Sequence, residues 1–123
     1  MRVVYIVEDL SSIALRMADV VRGLGCAVEV FADGLEAYAR ILEQPPALLL
    51  LDVMLPSLDG LALARLVKFN ETTSHVPVLM ISSVSDDVAE MARASRVEAI
   101  LAKPFDVDDM TAEVARMLAL EVA

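Results

Sequence analysis

Leu48-Leu49-Leu50-Leu51-Asp52 decides how this chain is read. Four consecutive leucines leave no polar face, so the run fits a strand buried on both sides, as in parallel sheets. The carboxylate that follows stands at the strand's carboxyl end. In open α/β sheets, ligands bind outside those ends. An Asp in such a place is also a common helix cap or turn residue. Taken alone, the stretch supports both readings equally.

Working outward, similar runs recur. Val3-Val4-Tyr5-Ile6-Val7 is wholly apolar and ends in Glu8-Asp9. Val28 to Phe31 form a second strand, with Asp33-Gly34 as the turn out of it, and Val76-Pro77-Val78-Leu79-Met80-Ile81 a fourth that ends in Ser82-Ser83. Ala99-Ile100-Leu101-Ala102 is a fifth, ending in Lys103-Pro104. Between them lie helical segments. Ile13, Met17, Val20, Val21 and Leu24 recur at helical spacing, with Ser11 or Ser12 as the expected cap and Gly25 as the stop. Leu35 to Glu43 should present Leu35, Tyr38, Ile41 and Leu42 on one face, before Pro45-Pro46 forbid further helix. Leu61 to Phe69 form a third helix, after a loop containing Pro56 and the Asp59-Gly60 turn. Ser85-Asp86-Asp87 opens a fourth, and Asp106 with Asp109 resembles a capping box for a fifth, over Val107 to about Leu120. Five alternations of strand and helix predict an α/β three-layer sandwich, with right-handed crossovers joining parallel strands.

Composition sets the outer limits. The 123 residues suit a single domain, 1–123, and 58% are hydrophobic, enough for a dense core. No apolar run approaches the roughly 18 residues of a membrane span. The N-terminus turns acidic too soon for a signal peptide, so a cytoplasmic protein is expected. The lone Cys26 cannot form an internal disulfide and reads as a core residue. A formal charge of −9 repels phosphate backbones, which argues against nucleic-acid binding by this domain. His75 falls in a polar loop and reads as solvated, and the seven Met as core packing.

The residues that follow the strands share a chemistry. Glu8 and Asp9 follow the first, Asp52 closes the third, Ser82 the fourth and Lys103 the fifth. Parallel strands place them all on one edge. Three close carboxylates repel one another unless a cation joins them. A hard ion such as Mg²⁺ takes oxygen ligands, few of them carboxylates, and keeps room for a phosphate. With a Lys and a hydroxyl added, the set describes a site for a phosphoryl group carried by a carboxylate. A salt bridge between Lys103 and one acid would explain the Lys but not the surplus of acids.

The motifs Val7-Glu8-Asp9, Leu51-Asp52-Val53-Met54-Leu55-Pro56-Ser57-Leu58-Asp59-Gly60, Pro77-Val78-Leu79-Met80-Ile81-Ser82 and Lys103-Pro104-Phe105 resemble those of response-regulator receiver domains of two-component signalling. Ser82 and Lys103 follow Asp52 by 30 and 51 residues, which also fits. The resemblance spans essentially the whole chain. It implies a flavodoxin-like five-stranded sheet of order 2-1-3-4-5 with five helices, the order known for a chemotaxis regulator of this family. It implies that Asp52 accepts a phosphoryl group from a histidine kinase or phosphotransfer protein. Glu8, Asp9, Asp52 and the backbone carbonyl of Met54 would hold Mg²⁺. Lys103 would pair with the phosphoryl oxygens, and Ser82 would swing toward them. A cis bond is expected at Lys103-Pro104.

The chain departs from the family in several places. Ser82 stands where Thr is commoner. Ile100 replaces the usual Tyr or Phe, so the aromatic part of the switch is missing. Arg96 stands where Gly often precedes the fifth strand. Met54 and Val84, two residues beyond Asp52 and Ser82, are apolar where the family tunes water access, which predicts slow self-dephosphorylation. Other readings weigh less. An aspartate-based phosphatase needs a second Asp where Met54 stands. A flavin carrier would have its phosphate repelled by Glu8-Asp9. A degenerate receiver serving only as a docking module is disfavoured by the intact Asp52 and Lys103, yet left open by Ile100. The expectation is a phosphoacceptor and not a turnover enzyme, with an output protein or fused domain that the sequence does not name.

Overall fold

The computed structural model describes residues 1–55, 58–83 and 86–119, the side chains of 86–89 excepted. The strands are β1 (Val3–Val7), β2 (Ala27–Phe31), β3 (Leu48–Asp52), β4 (Val78–Ser82) and β5 (Ala99–Ala102). They form one parallel sheet in the order β2-β1-β3-β4-β5. The helices are α1 (Ser11–Gly23), α2 (Gly34–Glu43), α3 (Gly60–Lys68), α4 (Asp86–Ala94) and α5 (Val107–Met117).

The all-apolar strands are central because both their faces are covered. Leu48 through Leu51 are each fully buried. Their side chains alternate between two cores, as the period of two dictates. Val4, Ile6, Leu48 and Leu50 pack with Met17 of α1 and Met110 of α5. Tyr5, Val7, Leu49 and Leu51 pack with Ile41 of α2 and Leu63 of α3. Cys26 is buried in the first core, and His75 is exposed.

Several local expectations change. Neither Ser11 nor Ser12 caps α1. Both lie inside it, and Leu10 occupies the cap position with no side-chain bond. Gly25 does end this segment, at φ 84°, in the left-handed region that glycine enters without steric cost. In α2 the inward stripe is Gly34, Ala37 and Ile41. Leu35 and Leu42 sit one residue off that stripe and are 56% and 48% exposed. The Asp-Gly pairs are helix starts as well as turns: Asp33 accepts from Leu35 N, and Asp59 from Ala62 N. Asp106 caps α5 by accepting from Asp108 N, but Asp109 returns no bond to it among the described residues. The expected cap Ser85, together with Val84, Pro56, Ser57 and Leu120, lies outside the described residues.

Arg96 adopts φ 63°, the left-handed conformation that a glycine there would accept without strain. Its guanidinium lies 4.6 Å from the centre of the Phe69 ring, so the strained residue is held by a cation–π contact. Lys68 is buried and donates to the carbonyls of Ser74 and Val76 and to Glu98 Oε2. Glu98 Oε1 accepts from Val78 N. This pair ties the end of α3 to the starts of β4 and β5.

Candidate metal and phosphoryl site

The carboxyl ends of β1, β3, β4 and the turn after β5 meet at one rim. β1 pairs with β3 so that Val7 lies beside Leu51, which sets Glu8 next to Asp52. β3 pairs with β4 so that Asp52 lies beside Ile81, one residue before Ser82. Ser82 in turn lies beside Ala102, and Lys103 N donates to the Ser82 carbonyl at 2.8 Å. Sheet register alone therefore brings Glu8, Asp52, Ser82 and Lys103 together.

Glu8, Asp9 and Asp52 each offer a carboxylate oxygen within 4.8 Å of the others. Glu8 and Asp52 are buried, and Asp9 is exposed at the mouth. Lys103 Nζ lies 3.1 Å from Asp52 Oδ2 and 3.3 Å from Glu8 Oε2. Asp52 Oδ1 accepts from Met54 N at 3.2 Å. That bond fixes the carboxylate but caps no helix, since α3 is capped by Asp59. Glu8 Oε1 is buried with no hydrogen-bond partner among the described residues. An unpartnered carboxylate oxygen in a cluster of acids lacks a cation or a proton. The donor set is all oxygen, which suits a hard divalent ion.

The electrostatics agree. Burial first, and then the neighbouring Asp52, raise the Glu8 carboxyl to about 7 against the opposing pull of Lys103. Lys103 loses some basicity through burial, but hydrogen bonding and attraction from Asp52 and Glu8 hold it above the ordinary ammonium range. One ammonium thus serves two acids, and the third, Asp9, has no ion-pair partner among the described residues.

Ser82 is buried, and its hydroxyl makes no hydrogen bond among the described residues. Met54 is 72% exposed. Ile100 is half-buried and packs against the α2–α3 core. The Lys103-Pro104 peptide is cis. Val84 lies outside the described residues, so only Met54 of the two expected tuning positions is seen. Two contributors were not singled out by their residue types. Gly60 brings α3 against the Asp52 backbone, where an added Cβ would collide with the Asp52 carbonyl oxygen. Gly34 likewise lies against the Leu58 carbonyl. Both were visible as Asp-Gly pairs, but those pairs read as turns.

A family model described as "Response regulator receiver domain" matches residues 4–115. The chain is 34% identical over 115 residues to the DNA-binding dual master transcriptional regulator RpaA of Synechocystis, covering 91% of this chain and 44% of RpaA. It spans less than half the length of the DNA-binding regulators it matches. A putative response regulator from Chloroflexus aurantiacus superposes with a TM-score of 0.90 at 30% identity, covering 96% of this chain and 98% of that one. The receiver domain of DrrB, in a structure described as BeF3 activated, gives 0.86 at 26% identity, covering 97% and 98%.

Proposed function

The chain belongs to the response-regulator receiver family, and from that premise we propose that it is a phosphoacceptor switch whose acceptor is Asp52. An Asp52 oxygen attacks the phosphorus of a phosphohistidine on a kinase or phosphotransfer protein. The O–P bond forms as the P–N bond breaks, and the imidazole leaves. Water later cleaves the acyl phosphate, releasing inorganic phosphate and restoring the carboxylate. Glu8, Asp9, Asp52 and the Met54 carbonyl would hold Mg²⁺, which supplies charge neutralisation for the incoming phosphoryl oxygens. Lys103 meets those oxygens from the other side. The Ser82 hydroxyl is free to donate to them. Ile100 gives the switch an aliphatic readout in place of a ring. Slow discharge follows from the apolar side chains of Met54 and Val84, and a methionine where an aspartate-based phosphatase needs its second Asp argues against turnover of a separate substrate.

One observation carries this reading: a lysine ammonium 3.1 Å from a buried carboxylate, beside two further acids. A structural ion pair accounts for the first but not the second. The BeF3-activated DrrB neighbour supports it, since beryllofluoride mimics a phosphoryl group. The partners are a histidine kinase or phosphotransfer protein and an output protein or fused domain. We place the protein in the cytoplasm. Among the described residues, no helix is long and apolar enough to cross a membrane.

Incubation with acetyl phosphate and Mg²⁺, followed by intact mass, tests the chemistry. One added phosphoryl group is expected in the wild type and none in Asp52→Ala. No modification of the wild type, or equal modification of the variant, would overturn the reading.

A further inference from the structure

We propose that Gly34 is a positioning residue for the divalent-cation site, acting through the loop that carries Met54. The inference rests on the metal reading above and adds a residue that touches none of the ligands.

Gly34 opens α2, directly after its cap Asp33. A Cβ built there would lie 2.7 Å from the Leu58 carbonyl oxygen, 3.2 Å from Leu58 Cβ and 3.5 Å from Leu55 Cδ1. The first contact is too short for any real Cβ, and its partner is backbone. The β3–α3 connection is therefore seated directly on the α2 N-terminus, and any side chain at 34 must push it away. Gly34 is not among the residues with positive φ. Its backbone accepts alanine, so only the steric contact calls for glycine.

A push at Leu58 has a short path to the site. Gly60 N donates to the Val53 carbonyl at 2.8 Å, closing the connection into a ring just past Asp52. Gly60 itself is pressed against the Asp52 backbone, with no room for a side chain. The ring cannot slide at that end. Met54 lies four residues before Leu58 in the same ring, and its amide holds Asp52 Oδ1, so a shift of Leu58 bears on that bond. Two missing side chains thus clamp the connection, one against α2 and one against β3.

The test is a calorimetric Mg²⁺ titration of the full chain as wild type, Gly34→Ala and Glu36→Ala, with thermal melts in the absence of metal. Glu36 is exposed on the same helix and serves as the control. The expected result is a Kd for Mg²⁺ raised at least several-fold in Gly34→Ala and unchanged in Glu36→Ala. In the phosphodonor assay, saturating Mg²⁺ should restore the limiting rate of Gly34→Ala, leaving the change in half-saturation alone. The melts must show Gly34→Ala folded throughout the titration, because an unfolded fraction would by itself raise the half-saturation. Equal Kd values in wild type and Gly34→Ala would overturn the inference and leave the metal reading intact. Loss of folding in Gly34→Ala would also overturn it, since the role would then be global. Absence of Mg²⁺ binding to the wild type would instead remove the metal reading beneath it.

Discussion

Lys103 Nζ stands 3.1 Å from Asp52 Oδ2 while also reaching Glu8 Oε2 at 3.3 Å. A single ammonium therefore competes with any divalent ion for two of the three acids. At an effective dielectric of about 20, a unit charge at about 4 Å contributes roughly 4 kcal/mol before solvent and side-chain rearrangement reduce it. Removing it with Lys103→Ala should tighten Mg²⁺ binding several-fold, yet slow phosphorylation by a small donor about tenfold or more, because the phosphoryl oxygens lose their fixed cation. Calorimetry and timed intact mass measure the two effects. Weaker metal binding in this variant would mean that the lysine organises the acids and does not compete with the ion.

Glu8 gives a pH dependence with a definite sign. Its folded-state value of about 7 lies above the ordinary 4.5. The folded protein thus holds this proton more tightly than the unfolded one. The stability it contributes is complete below pH 4.5 and is lost as pH rises toward 7. A metal must displace the same proton. Mg²⁺ affinity should climb about tenfold from about pH 6 to about pH 8, with proton release on binding. Titrations in two buffers of different ionisation enthalpy would reveal the proton, and a flat affinity profile would count against Glu8 as a ligand.

Met54 is exposed beside Asp52, and its amide holds Asp52 Oδ1. An apolar side chain there offers attacking water no partner. Met54→Asn should speed decay of the phosphorylated form several-fold without altering the fold. Mass spectra taken through the decay settle the point; an unchanged half-life would mean that this position does not govern water.

Arg96 carries two opposing terms. Its left-handed backbone costs about 1–2 kcal/mol, and its stacking on Phe69 returns about 0.5–1 kcal/mol at an exposed site. Arg96→Gly loses both and should be neutral to within about 1 kcal/mol. Arg96→Ala loses only the contact and should be the less stable of the two by about 1 kcal/mol. Urea unfolding of both variants compares them directly; Ala equal to Gly would show that the backbone is unstrained.

Lys68 satisfies two carbonyls and Glu98 at once from a buried position. Glu98 is about two-fifths exposed, so water can partly replace the lost partner. Lys68→Met should cost about 2–3 kcal/mol. A loss below about 1 kcal/mol in urea unfolding would place the pair among screened surface bridges.

What the sequence disclosed follows from where the physics is local. Leu48 through Leu51 announce a two-sided strand because nothing polar interrupts them, and strand ends then follow from strand identity. Glu8, Asp52, Ser82 and Lys103 were legible for the same reason: each follows a readable run. The inward face of α2 was not. Its stripe is Gly34, Ala37 and Ile41, and larger leucines on the flank outweighed those small residues. Ser11 and Ser12 look like caps in composition, yet the helix begins a residue earlier than a cap would need. Lys68 and Glu98 meet across 30 residues, and no local pattern encodes that distance. Gly34 and Gly60 were seen as turn formers, whereas close packing of one backbone on another depends on the tertiary neighbour.

The alternation of side chains across the sheet sorts the site into two compartments. Leu48 and Leu50 face α1 and α5, and Asp52 continues that series. Val78 and Met80 face the layer of α2 and α3, and Ser82 continues theirs, on the side where Ile100 packs beside Met80. Asp52 and Ser82 thus stand on opposite faces of neighbouring strands. A phosphoryl group that drew the serine toward it, as proposed, would pull on the layer that holds Ile100, with the α1–α5 layer as the anvil on the far side of the sheet.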